Sequence, residues 1–139
     1  MRFKGKVGGW FYATMLFVAV VTVPTLIRGA MFDYDLFALI INWAVFVLVE
    51  GFFVSILLFN YVELKEGTLF IRFGPIKTQI PYSDIVSLSK TNNPLSSLAA
   101  SLDRIEIRRK AKSGLMISIK DKERFFEEIK KINPDIKIF

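Results

Sequence analysis

The chain contains neither cysteine nor histidine. These two absences exclude disulfide staples, thiol nucleophiles, Cys/His zinc sites and the imidazole general base of the usual triads. Carboxylate and lysine chemistry remain open, but no Gly-rich phosphate loop, metal-ligand spacing or nucleophile elbow is present. The expectation is therefore a non-enzymatic protein that needs no cofactor. Charge is the second scarcity, and it is local. The first sixty residues hold four of the 19 Lys/Arg (Arg2, Lys4, Lys6, Arg28) and three of the 13 Asp/Glu (Asp33, Asp35, Glu50). Most of the charge, and five of the six net positive charges, therefore lie after residue 60. That imbalance predicts two parts, a membrane anchor over 1–60 and a water-soluble module over 61–139. A module of that size buries a core, though a marginal one.

What the first part has in place of charge is apolar length. Leu36–Phe59 carries no charge except Glu50 and, at about 1.5 Å per residue, is roughly 36 Å long as a helix. That is enough to cross a hydrocarbon core of about 30 Å with some tilt. Seventeen of its residues are Leu, Ile, Val or Phe. At no more than ~0.3–0.6 kcal/mol each, their sum outweighs the roughly 2.5–3.5 kcal/mol that one central acid costs. A second apolar run, Val7–Ile27, follows Arg2, Lys4 and Lys6. A cleaved signal peptide would have a shorter apolar core of about 7–15 residues and a small-x-small site. Here Arg28 stands where a small residue is needed, so a retained transmembrane helix is expected, with Pro24 in its last turns. The short connection Arg28–Asp35 makes the pair an antiparallel hairpin. Lys/Arg residues flank the outer ends (Arg2, Lys4, Lys6, and Lys65, Arg72, Lys77), against Arg28 alone in the connection. Both termini are expected in the cytoplasm.

From Tyr61 the hydrophobic period changes to two. Tyr61–Lys65, Thr68–Phe73, Ile76–Ile80, Asp84–Lys90, Asp103–Lys110 and Gly114–Ile119 read as six short strands, with turns at Glu66-Gly67, Gly74-Pro75 and Ala111–Gly114. The inward set includes Val62, Leu69, Ile71, Ile107 and Ile117, and Asp84–Lys90 alternates through Ile85, Val86 and Leu88. Asp121–Ile132 then places Phe125, Ile129 and Ile132 on one helical stripe, with Ser118 or Asp121 as cap, Arg124–Glu128 and Glu127–Lys131 as pairs on the wet face, and Asn133-Pro134 as the stop. Strands followed by one helix imply an α+β unit, a small antiparallel barrel covered or plugged by its C-terminal helix.

The second part resembles the YyaB-like group of bacterial pleckstrin-homology-like (PH-like) domains. The resemblance rests on Tyr61-Val62-Glu63-Leu64, Leu69-Phe70-Ile71-Arg72-Phe73-Gly74-Pro75, Ile80-Pro81-Tyr82 with Ile85, and Asn93-Pro94-Leu95-Ser96-Ser97. It continues through Ser101-Leu102-Asp103-Arg104-Ile105-Glu106-Ile107, Ile117-Ser118 and Asp121-Lys122-Glu123-Arg124-Phe125. It implies a PH-like barrel, commonly after two transmembrane helices, in bacterial proteins of largely unknown function. Such a barrel has seven strands, one more than the six read here, and the group often has Pro where this chain has Ile119.

Three sets of residues are candidate sites. Glu50 is an acid within the bilayer, which is a functional signal by default. In an antiparallel hairpin it lies level with Thr14 on the first helix. Its favoured role is a neutral or hydrogen-bonded carboxyl that fixes helix pairing or a homo-oligomer, and the alternative is a small oligomeric transport or channel subunit that relays protons or cations. Arg108, Arg109, Lys110 and Lys112 form the densest basic cluster and would meet anionic headgroups if they faced the membrane, although a solvated turn is the plainer role. Asn92–Leu102, rich in serine, is either a phosphate- or peptide-binding loop or a capped crossing loop. Asp103-Arg104 would anchor it. The pleckstrin-homology pattern for phosphoinositides puts a basic cluster between the first two strands, and Glu66-Gly67 does not match it. Nucleic acid is not an expected partner, since no aromatic–basic interleaving accompanies the cluster. The expected partners are the lipid bilayer and an unidentified protein.

Overall fold

A computed structural model describes the whole chain except residues 33–34, 94–98 and 111–112. Two long helices come first, α1 (Gly9–Phe32) and α2 (Leu36–Leu58), both long and apolar enough to cross a membrane. α1 runs past Pro24 and beyond the expected end at Ile27. Proline lacks a backbone N–H, and in this turn the Thr25 hydroxyl binds the carbonyls of Val21 and Thr22 (3.4 and 2.7 Å). α2 begins at a true cap, where the Asp35 carboxylate accepts from the backbone N–H groups of Phe37 and Ala38 at 3.0 and 3.3 Å. The helices pack antiparallel, with the rings of Phe11 and Phe53 5.2 Å apart, a register that puts Thr14 level with Glu50.

Six strands follow where the alternation places them: β2 (Asn60–Lys65), β3 (Thr68–Phe73), β4 (Ile76–Pro81), β5 (Ile85–Thr91), β6 (Arg104–Arg109) and β7 (Leu115–Ile117). α3 (Lys122–Ile132) then packs across them. Two further strands were not expected. β1 (Arg2–Lys4) precedes the helices and pairs antiparallel with β2, Lys4 opposite Tyr61 and Arg2 opposite Glu63. β8 (Lys137–Ile138) pairs parallel with β5. The strands form two four-stranded sheets, β1-β2-β3-β4 and β7-β6-β5-β8, rather than one continuous closed barrel. Among the described residues, one isolated bridge, between Gly5 and Ile119, joins the β1 edge of the first sheet to the second just after β7.

The core between the sheets and α3 holds Val62, Leu69, Ile71, Ile107, Ile117, Phe125 and Ile129 as expected, and Phe125 is fully buried. Phe3 of β1 meets the Phe125 ring edge-on at 5.4 Å. Two expected core positions differ. Val86 is exposed because a bulge between Ile85 and Ser87 turns Ser87 inward instead. Ile132 is also exposed; the chain turns back after α3, and Ile136 occupies the core in its place. Asp121 caps α3 by accepting from Arg124 N–H, whereas the Ser118 hydroxyl is committed to the carbonyls of Lys6 and Asp103. On the wet face of α3, Lys131 pairs with Glu128 at 2.7 Å, three residues apart rather than four.

Candidate functional site

The helix pair and the domain meet through a second small core of Phe11, Ile56, Phe73 and Ala100, with Val7, Phe53 and Leu57 against it. Several backbone features hold this junction. Gly74, at φ 58° in the β3–β4 turn, lies so close to Ser55 and Ile56 of α2 that a Cβ there would collide with them, and its N–H donates to Phe59 C=O at 2.9 Å. Gly5 leaves the space that the Asn60 side chain fills, and donates to Asn60 C=O at 2.7 Å. Gly8 N–H reaches Ala100 C=O at 2.8 Å. Asp103 ties the segment before α1 to the start of α3, accepting from Lys6 Nζ at 2.6 Å and from the buried Lys122 Nζ. Hydrogen bonds from Lys122 first and Lys6 second hold the Asp103 carboxyl below its ordinary pKa.

At this junction, on the outer face of the first sheet, lies a cleft of about 640 Å³. One wall is apolar and belongs to the helix ends, with Tyr12, Leu57 and Leu58. The other carries Arg2, Lys4, Arg72 and Lys120. Strand alternation creates the cationic wall. Phe3 faces the core, so Arg2 and Lys4 face out; Ile71 and Phe73 face in, so Arg72 faces out. Lys120 joins them because its N–H binds Lys4 C=O at 3.1 Å. Two aromatic rings hold the guanidinium groups in place, Arg72 4.0 Å from the Phe59 centroid and Arg2 4.2 Å from that of Tyr61. The lining contains no carboxylate; the nearby Glu63 makes a loose ion pair with Arg2 at 3.8 Å. Asn60 Nδ2, also of the lining residues, is buried without a hydrogen-bond partner among the described residues.

The residues singled out by sequence lie elsewhere. Arg108, Arg109 and Lys110 sit at the opposite end of the domain from the helices. β6 starts near the junction and runs about 17 Å along its length to Arg109. Lys110 N–H binds Asp84 C=O there, beside the turn where Tyr82 N–H binds Gly67 C=O. Two of these side chains also have local partners, Arg109 on Ser113 C=O (2.6 and 3.1 Å) and Arg108 beside Glu106 (3.6 Å). The cluster therefore faces away from the helix ends. Lys112 falls outside the described residues, as do positions 94–98 of the serine-rich loop. Of the rest of that loop, Ala99, Ala100 and Ser101 are buried and Asn92 and Leu102 exposed, and Arg104 donates to the carbonyls of Ser101 and Asn93. Thr14 and Glu50 share a level without bonding. The Thr14 hydroxyl donates to Trp10 C=O at 2.9 Å, and Glu50 Oε1 has no hydrogen-bond partner among the described residues. The sequence alone does not group the cleft cations, because positions 2, 4, 72 and 120 are scattered along the chain. The signal that was present is the basic–apolar–basic alternation of Arg2-Phe3-Lys4.

No curated protein compared with the chain matches it. A family model described as the bacterial PH domain matches residues 60–133, more than half of the chain, from the start of β2 to the end of α3. This chain belongs to the bacterial PH domain family.

Proposed function

We propose that the chain is a membrane-anchored interaction module of the YyaB-like kind, with no catalytic activity of its own. In this reading α1 and α2 cross the bacterial inner membrane, both termini are cytoplasmic, and the PH-like domain is presented at the cytoplasmic face to a protein or to the lipid surface. An immunity or stress role, in which an anchored domain blocks or senses an agent, fits that placement. Residues 1–60 form the anchor and 61–139 the module, with β1 the part of the first segment that enters the domain's sheet. The supporting observation is the shared core of Phe11, Ile56, Phe73 and Ala100, which seats the domain directly on the helix ends instead of on a flexible tether. Affinity capture with the full chain extracted from membranes, run beside the helix pair alone, tests this. Partners retained by the full chain and lost by the helices support it, and identical captures move the function into the helices.

The second reading, an oligomeric transport subunit, draws on the unpartnered Glu50 Oε1. Glu50→Gln keeps size and hydrogen bonding while removing titration. Ion flux in vesicles that vanishes in Glu50→Gln, with assembly intact, would favour this reading over the module.

A further inference from the structure

We infer that the cleft at the helix–sheet junction holds the phosphate headgroup of one anionic phospholipid, a ligand that the domain takes from the membrane it is anchored in. The inference rests on the membrane reading above and goes beyond it by naming a site and a ligand chemistry. The wall of Tyr12, Leu57 and Leu58 continues the apolar surfaces of α1 and α2, so acyl chains lying along the helices lead straight into the cleft. The opposite wall supplies Lys4, Arg72 and Lys120 at the depth where chain leaves helix and becomes strand, which is the headgroup level if the helices span. Arg72 keeps one weak internal acceptor, Gly74 C=O at 3.4 Å, and its guanidinium is held by stacking on Phe59, so its donors are not consumed by a carboxylate. The shape argues for a lipid over a free anion. A soluble phosphate would need only the cationic wall, while this cleft is half apolar.

The site also differs from the phosphoinositide pattern of the resemblance. That pattern uses the turn between the first two strands of the domain, here Glu66-Gly67, which lies at the far end with Arg108 and Arg109. The two ends therefore provide a comparison within one molecule. One has cations around an amphipathic cleft beside the helices, and the other has cations on an open turn away from them.

The full chain, reconstituted in nanodiscs of mixed phosphatidylglycerol and phosphatidylcholine and released for native mass spectrometry, reports which lipid stays bound. The expected result is one retained phosphatidylglycerol. Its preference over phosphatidylcholine should fall about fivefold in each of Lys4→Gln, Arg72→Gln and Lys120→Gln. Arg108→Gln should leave it unchanged, and Arg72→Lys should restore part of what Arg72→Gln loses, which separates loss of charge from loss of fold. A preference insensitive to the three cleft variants, or equally sensitive to Arg108→Gln, overturns the inference while leaving the anchored module standing. Displacement of the lipid by millimolar inorganic phosphate overturns it in favour of a free-anion site. A chain that folds but does not enter nanodiscs overturns the membrane reading, and the inference with it.

Discussion

At the scale of single residues, Phe125 and Asp103 carry separable loads. Phe125 is fully buried where α3 crosses the strands, so Phe125→Ala removes its contacts and leaves a cavity that the sheets cannot fill, a cost of about 3–5 kcal/mol. Domains of this size have little more than that to lose. Urea unfolding followed by tyrosine and far-UV signals should show the domain largely unfolded, and a midpoint equal to wild type would mean that α3 does not plug the core. Asp103 acts through charge. Its folded-state pKa is depressed by Lys122 and Lys6, so the stability it confers is present above its unfolded value of about 3.9 and is lost as pH falls through the folded one. Asp103→Asn should cost about 1–2 kcal/mol at neutral pH, a modest sum because the carboxylate side chain is 45% exposed. It should also flatten the loss of stability below about pH 4. An acid limb as steep in Asp103→Asn as in wild type would assign that loss to other groups. Lys122 explains why the pair matters. Its ammonium is buried, and without Asp103 it keeps only Arg104 C=O, at 3.2 Å, among the described residues.

At the scale of elements, the strands from β2 to β7 were legible because each buries one face, and burial of one face imposes a period of two that a sequence displays directly. α3 was legible for the same reason at period 3.6, down to its Asp121 cap. β8 was not, since a strand of two residues is too short to show a period, and β1 was not, since its basic residues carry a second meaning before an apolar run. Arg2, Lys4 and Lys6 read as a topogenic basic flank, yet Arg2 and Lys4 face the cleft and Phe3 enters the core between them. The site was illegible for a related reason: its cations come from a strand before the helices, a strand after them and a residue beyond β7, brought together by the Lys4–Tyr61 pairing and the Gly5–Ile119 bridge. β1 therefore does more than flank. Phe3→Ala should cost about 2–4 kcal/mol, less than Phe125→Ala because a short edge strand can detach before the rest unfolds. The two changes should also be non-additive by about 0.5–1.5 kcal/mol, the worth of an edge-on aromatic pair. A double-mutant cycle with zero coupling would show that β1 is not docked on the core.

At the scale of the whole molecule, the pairing of β1 with β2 makes the helix hairpin an insertion between two neighbouring strands of one sheet. Strands that share hydrogen bonds must lie on one side of a bilayer, so the start of α1 and the end of α2 are bound to the same side whichever side it is. The choice between sides then rests on charge. Arg2, Lys4, Lys6, Lys65, Arg72 and Lys77 lie near the domain-side ends, against Arg28 at the hairpin tip, a bias that predicts a cytoplasmic domain. Because the chain has no cysteine, a single introduced thiol reports its own location without background. Met31→Cys marks the exposed end of α1 at the hairpin tip, and Glu66→Cys marks the exposed β2–β3 turn at the far end of the domain. A membrane-impermeant maleimide should label Met31→Cys on intact spheroplasts, and Glu66→Cys only after permeabilisation. The reverse pattern would put the domain outside the cytoplasm and remove the case for a cytoplasmic partner. Equal labelling of both thiols on intact spheroplasts would mean that the hairpin does not span the membrane, and a cleft at the junction would then have no headgroup layer to face.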